Sequence, residues 1–349
     1  MGQDEHDQAR AAPGGRAAPR QGRRIGRMLG VGVAVLVLAA LTITAGAGLY
    51  VYRQLTEPGP LTAEIVVVVP HGASVARIAG VLAESGVIAD PASFEIGARL
   101  LARQRPLRAG EFAFAPGISA IEAMRLLQTG RTVMRSLTVP EGLTTAQVLD
   151  LVGAAVGLQG EPPRPPGEGL LLPETYHYAW GEGANEMVAR MRRAMEEALA
   201  ELWLSRADGL PFMTPEEALA LASIVEKETS LAEERPRIAA VFLNRLRRGM
   251  RLQSDPTVAF ALAQAGGPLG RPLTLDDLQV QHPYNTYVVD GLPPGPIANP
   301  GRASLEAVLH PADSEELYFV ADGDGGHAFA KNLKEHQRNV AKWRRLNRR

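Results

Sequence analysis

The chain of 349 residues contains no cysteine, which excludes a disulfide framework and any thiolate metal site. Its formal net charge is only −1, so composition makes no electrostatic case for a nucleic-acid partner. None of the histidines falls in an H-E-x-x-H pattern and no G-x-S-x-G occurs. Zinc-hydrolase and serine-hydrolase readings therefore lose their main supports. The stretch "DGDGG" (322–326) is too short for an EF-hand loop and lacks its closing Glu, which argues against calcium. No metal and no cofactor is expected.

Against these absences stands one long apolar run. Arg10, Arg16, Arg20, Arg23, Arg24 and Arg27 precede "MLGVGVAVLVLAALTITAGAGLYVY", from Met28 to Tyr52. As a helix it would reach ~37 Å, enough to cross a ~30 Å hydrocarbon core with some tilt. The arginines on its N-terminal side orient it by the positive-inside bias, with the N-terminus cytoplasmic and everything after Arg53 outside. The competing reading is a cleaved signal peptide, for which "AGAG" offers small residues, although signal cores run only ~7 to 15 apolar residues.

The remaining length suits two or more domains. After residues 1–27, a tail read as disordered, and the membrane helix 28–52, a linker covers 53–62. A strand-turn-helix unit then recurs. "VPHGASVARIAGVL" from Val69 and "VPEGLTTAQVLDLV" from Val139 are close copies, and "APGISAIEAMRLL" from Ala115 is a looser one. In each, a Pro and Gly turn is followed by Ser74, Ser119 or Thr144, placed to cap the helix that begins there. These form a small α+β module over 63–158. The Pro-rich stretch 159–169 reads as an interdomain linker or long surface loop. A mixed, helix-rich domain follows over 170–343, with a basic tail at 344–349, so the fold class is α+β.

Within that domain, "MTPEEALALASIVEKET" carries a helix start signal: Thr214 as N-cap, Pro215 at the first helical position, and Glu217 three residues after the cap. At about 100° per residue from Leu221, Ile224 falls near roughly −60°, Val225 near roughly +40° and Glu228 near roughly −20°. Glu228 thus leaves the middle of the apolar stripe, where burial raises a carboxyl pKa and suits a general acid. Glu226 falls near roughly +140°, on the polar side with Glu216, and is expected to be solvated. On the residues alone Glu228 stays open between an acid and a carboxylate at a helix end that reaches water.

Three further segments carry polar partners. "GMRLQSDPT" follows a helix from Arg237 to Arg248 and presents Gln253 and Asp255, the latter expected to cap the next helix. "HPYNTYVVDGLPPGPIANPG" is expected to form a short strand, a turn at Asp290-Gly291 and a rigid loop, with Tyr284 and Asn285 offering a ring and an amide. "ELYFVADGDGGHAFAKNLKEH" reads as a strand, a Gly-rich turn, a return strand with His327 and Phe329, and a helix capped by Asn332.

Together "LASIVEKET", "AAVFLNRLRRGMRLQSDPTV", "PYNTYVVDGLPPGPIANPG" and "LYFVADGDGGHAFAKNL", with "LLPETYHY" earlier, resemble the endolytic murein transglycosylase family, the YceG-like proteins. The resemblance covers Leu170 to Trp343. It implies a lysozyme-like catalytic domain, a LysM-like part over 63–158, and lytic cleavage of the β-1,4 bond between N-acetylmuramic acid and N-acetylglucosamine inside peptidoglycan strands. In lytic transglycosylases the acid is the Glu of a Glu-Ser or Glu-Thr pair ending a helix, and Glu228-Thr229 matches while Glu226-Lys227 does not. Gln253, Tyr284, Asn285, His327 and Phe329, with Glu174 and Tyr176, are the glycan contacts it suggests. It places the catalytic domain in the periplasm on a single-pass anchor in the cell inner membrane, with cell-wall synthases as candidate partners. A non-catalytic peptidoglycan-binding scaffold and a hydrolytic muramidase are the alternatives, the latter needing Asp255 as a second carboxylate.

Overall fold

In the computed structural model, residues 21–101, 105–263 and 269–346 are described. Residues 1–20 of the expected tail and 347–349 of the expected basic tail lie outside them. The apolar run folds as α1 (Gln21–Thr56), longer at both ends than the expected 28–52. Leu29–Thr56 is long and apolar enough to cross a membrane, and its window is wholly unburied.

The three echoed units form as their turns dictate: β1 (Ile65–Val69) with α2 (Val75–Glu84), β2 (Gly110–Phe114) with α4 (Ala120–Thr129), and β3 (Met134–Thr138) with α5 (Thr145–Ala154). α3 (Pro91–Leu101) lies between the first two. Gly72, Gly117 and Gly142 sit at equivalent turn positions with φ of 71°, 68° and 76°, a left-handed conformation that favours glycine. Ser74, Ser119 and Thr144 each accept a backbone N–H as N-caps, and the last two complete capping boxes with Glu122 and Gln147.

The chain divides into two compact units. The first takes residues up to 67, 72–108 and 114–130, where Ile78, Leu82, Phe94, Phe114, Met124 and Leu127 are buried. The second takes 68–71, 109–113 and 131–349. Residues 131–158, grouped by sequence with 63–130, thus pack in the second unit. There β3 pairs antiparallel with β4 (Thr175–Ala179), from Met134 opposite Ala179 to Thr138 opposite Thr175. The Pro-rich stretch before β4 is held rather than free: the Glu168 carboxylate accepts the Thr145 N–H at 2.7 Å.

The rest of the second unit is helical around one element. α6 (Ala184–Leu204), α8 (Arg235–Arg247) and α10 (Arg302–Leu309) surround α7 (Pro215–Glu228). Ala218 through Val225 of α7 are all buried, as expected of a helix that is apolar on every side. Its start has the expected Thr214–Glu217 capping box. β5 (Tyr318–Ala321) and β6 (His327–Ala330) pair as the expected hairpin, and α11 (Leu333–Leu346) follows, absorbing residues 344–346. The Glu335 N–H bonds Asn332 Oδ1 at 3.0 Å, the expected cap. No strand forms in 282–300, contrary to expectation. Its backbone is spent on turns, such as Asn285 N–H to the His282 carbonyl and Val289 N–H to the Asn285 carbonyl.

Candidate active site

Glu228 is the last residue of α7, and Thr229 is its C-cap. The residue keeps an edge at the surface, while its Oε1 accepts the Ser254 hydroxyl at 2.5 Å. Burial pushes its carboxyl up to about 7; Asp255 pushes the same way, while the Ser254 hydrogen bond, His327 and Arg245 oppose them. A carboxyl that holds its proton near neutral pH is equipped for general acid work.

Two loops bring the partners to this helix end. Arg245 of α8 is buried and donates to the carbonyls of Leu252 at 2.6 Å and Leu317 at 2.7 Å, tying the loop before α9 (Asp255–Leu262) to the strand region of β5. The Thr286 Oγ1 accepts the Ser254 N–H at 3.0 Å and pairs with the Thr257 hydroxyl at 2.9 Å. The Thr286 carbonyl accepts the Gln253 N–H at 3.1 Å. Ser254, wedged between the loops, is 1 % exposed, so its hydroxyl has little freedom to leave Glu228. Gln253 has φ 51°, the one non-glycine left-handed residue among those described. Strain of this kind gathers at functional sites, and its side chain is exposed.

Beside Ser254, the Asp255 Oδ1 accepts the Tyr287 hydroxyl at 2.6 Å. Asp255 is the first residue of α9, with Ser254 in the N-cap position; the expected Asp255 cap does not form. Burial, then the hydrogen bond to Asp255, push the Tyr287 phenol up. On another side, Glu234 takes His327 by two bonds, the N–H at 2.8 Å and ring Nδ1 at 2.6 Å. A carboxylate acceptor there places a proton on Nδ1. No metal-holding cluster occurs among the described residues.

The YceG-like family model matches residues 67–342. The chain belongs to the YceG-like family. A relative from Bacillus subtilis named endolytic murein transglycosylase is 30% identical over 330 residues, covering 85% of this chain and 90% of that protein. One of the same name from Streptococcus pneumoniae is 30% identical over 325 residues, 79% of this chain. This chain spans 58% of the length of the S. pneumoniae relatives. A crystal structure of a YceG-like protein from Listeria monocytogenes is similar at 30% identity and a TM-score of 0.48, over 79% of this chain and 99% of that one.

In this YceG-like chain the residues singled out by sequence separate into two groups. Gln253 and His327 stand at the Glu228 site as described. Tyr284 is half-buried against Phe260, ring centroids 4.9 Å apart, in the same loop as Tyr287. Phe329 packs edge-on with His327, but one face is taken by the Arg237 guanidinium, 4.0 Å from the ring centroid. Asn285 is fully buried and its amide donates to the Leu278 and Val280 carbonyls at 3.1 and 2.8 Å. Its amide is consumed in shaping the loop, so it offers no donor to a ligand. Tyr176 is also corrected: it is 8% exposed, lies in the core around α5 and α6, and its hydroxyl donates to the Leu172 carbonyl at 2.7 Å. Glu174 is exposed just before β4, and its charge is felt by Tyr176 and Arg302.

Glu226 overturns its expectation most clearly. Its side chain is 5% exposed and its carboxylate is bonded by Gly301, Ser304 and Arg235. The wheel assigns it to a polar face, but there the last turn of α7 meets the start of α10 and Arg235 instead of solvent. Ser254, Tyr287 and Glu234 were not singled out. Ser254 and Tyr287 each stand within two residues of one that was, and Glu234 becomes visible only when β6 folds back.

Proposed function

We propose that this chain is a membrane-anchored endolytic lytic transglycosylase that cleaves β-1,4 bonds between N-acetylmuramic acid and N-acetylglucosamine within peptidoglycan strands. The observation that carries the reading is Glu228, a single carboxyl held protonated to about 7 by burial against one hydroxyl donor. Relatives named endolytic murein transglycosylase support the substrate class. Glu228 gives its proton to the glycosidic oxygen as the bond from that oxygen to the anomeric carbon breaks, releasing the 4-hydroxyl of N-acetylglucosamine. The resulting carboxylate takes the proton of the muramoyl 6-hydroxyl as that oxygen bonds the anomeric carbon, leaving a 1,6-anhydro end. The acid is regenerated, and the attacking group is already on the sugar, which supplies the advantage of proximity. Gln253, Tyr284 and His327 are the glycan contacts in this reading, with Phe329 beside His327; Glu174 extends it to a more distant subsite.

The same reading carries a LysM-like role for 63–158, a lysozyme-like character for 170–343, and α1 as a single-pass inner-membrane anchor with the N-terminus cytoplasmic. Termination of growing strands beside cell-wall synthases follows as its cellular setting.

One observation favours a second reading. Asp255, held by Tyr287 beside Ser254, is a second carboxylate of the kind a hydrolytic muramidase needs to activate water. Mass spectrometry of peptidoglycan digested with the full chain in detergent separates the two. Anhydro ends are expected, absent with Glu228→Gln; reducing ends would sink the lytic reading.

A further inference from the structure

α7 ends in Glu226-Lys227-Glu228, and the mechanism uses only the last residue. Glu226 is nonetheless the more heavily bonded carboxylate. Its Oε2 accepts the Gly301 N–H at 3.0 Å and the Ser304 hydroxyl at 2.8 Å. Both donors belong to the start of α10, where unpaired N–H groups and the helix dipole favour an anion. Its Oε1 lies 3.4 Å from Arg235 Nη2 at the start of α8, and the same nitrogen bonds Glu141 Oε2 at 3.1 Å.

Glu141 stands in the turn before α5, the third of the echoed turns, and that turn is fastened independently. The Gly142 carbonyl accepts Lys227 Nζ at 3.0 Å. The Gly142 N–H donates to the Asn299 carbonyl at 3.0 Å, and the Asn299 N–H returns to the Leu143 carbonyl at 2.8 Å. The approach is close: a Cβ on Gly301 would stand 1.9 Å from Glu141 Oε1. Three charged side chains are thus gathered at the last turn of α7, although a buried ionic cluster is weak evidence of stabilisation compared with apolar packing. Helix ends fray unless something holds them, and Glu228 is the end of this helix.

We propose that Glu226 is a positioning residue: it joins the last turn of α7 to the first turn of α10 and, through Arg235, to the Glu141 turn, and so keeps the Glu228 carboxyl at hydrogen-bond distance from Ser254. It rests on the reading of Glu228 as the acid. It also makes residues 139–145 part of the catalytic support, so the segment before the Pro-rich loop acts on chemistry as well as on substrate capture.

The test is kcat and KM of the full chain in detergent on defined glycan strands, with thermal unfolding measured alongside. Glu226→Gln keeps the shape and loses the charge; it should lower kcat about tenfold, and Glu226→Ala about a hundredfold, the scale of a misplaced catalytic group. KM should stay within about twofold in both, at temperatures far below the unfolding midpoint. Ser304→Ala should give a smaller loss that does not add to that of Glu226→Gln, because both act through one contact. If Glu226→Ala is folded and its kcat lies within about twofold of the parent, or if its loss tracks the unfolded fraction, the proposal is wrong. Should that variant not fold, the double variant Glu141→Gln/Ser304→Ala removes two supports and reads the same quantity. Glu228→Gln separates the two claims: anhydro product from it sinks the acid, while a dead Glu228→Gln beside an unaffected Glu226→Ala sinks only the positioning.

Discussion

Glu226 and Glu228 leave the same turn of the same helix, yet they meet opposite surroundings. Glu226 enters a place rich in donors: a backbone N–H, a hydroxyl and a guanidinium. Glu228 meets a single hydroxyl, from Ser254, and burial is the largest influence on its carboxyl. Burial disfavours a carboxylate, and hydrogen bonds to it restore the charge. At Glu228 one donor does not offset the burial, and the proton stays to about 7. The two like residues thus differ in the number of donors each one meets, and the proposed division between acid and anchor rests on that difference.

The sharpest way to break this contrast is Glu228→Gln. Loss of a general acid costs about 10²- to 10⁴-fold, so anhydro product should fall by that much while the fold is retained. The same substitution reports on charge. The folded-state value of about 7 lies above the ordinary value of 4.5, so the folded chain binds more protons than the unfolded one between these limits. Stability is therefore full below about 4.5 and declines as pH rises through about 7. Glu228→Gln should be more stable than the parent at pH 8, by up to roughly 3 kcal/mol, and so unfold at a higher temperature. That advantage should vanish near pH 4; one independent of pH would mean that Glu228 carries no buried charge.

Next in size are shifts of the pH profile, which identify what sets the proton. Activity should fall as pH rises through the Glu228 value. Asp255 pushes that value up and the Ser254 hydrogen bond pulls it down. Asp255→Asn should therefore move the alkaline limb of kcat/KM to lower pH, and Ser254→Ala should move it to higher pH. Limbs that move together would show that the hydroxyl and the carboxylate do not act in opposition on Glu228.

How far sequence reached depended on what each signal measures. The capped starts of α2, α4, α5 and α7 are local chemistry, fixed by a hydroxyl and the N–H groups three residues on, and they form as read. The hairpin of β5 and β6 was likewise visible from an apolar strand, a Gly-rich turn and a return strand. Helical phase placed Glu228 toward the buried side, where its carboxyl is pushed up, but misplaced Glu226, because a wheel gives direction and not what lies there. "ALALASIV", read as one apolar stripe, contains a single polar residue, Ser223, which bonds the Ala220 carbonyl and the Ile297 N–H; the structure buries the whole run. Residue type suggested Asn285 and Tyr176 as ligand contacts, yet type cannot reveal that their polar groups are already bonded to carbonyls across a loop or core. Ser254 reaches Glu228 only after the Thr286 loop closes over it, a contact with no local signature.

The smallest expected effect lies at the residue between the two glutamates. Lys227 is exposed and its ammonium donates to the Gly142 carbonyl, a bond worth about 1 kcal/mol or less at the surface. Lys227→Met removes it while keeping the length of the side chain and the helix propensity of the position. The unfolding temperature should move by a degree or two at most, and kcat should stay within about twofold of the parent. Measured beside Glu226→Gln under the same conditions, it asks whether the end of α7 is held by any contact with the Glu141 turn or specifically by the Glu226 carboxylate bonded to α10. A loss of kcat from Lys227→Met equal to that from Glu226→Gln would assign the hold to the turn, and the additional donors at Glu226 would then have no part in placing Glu228.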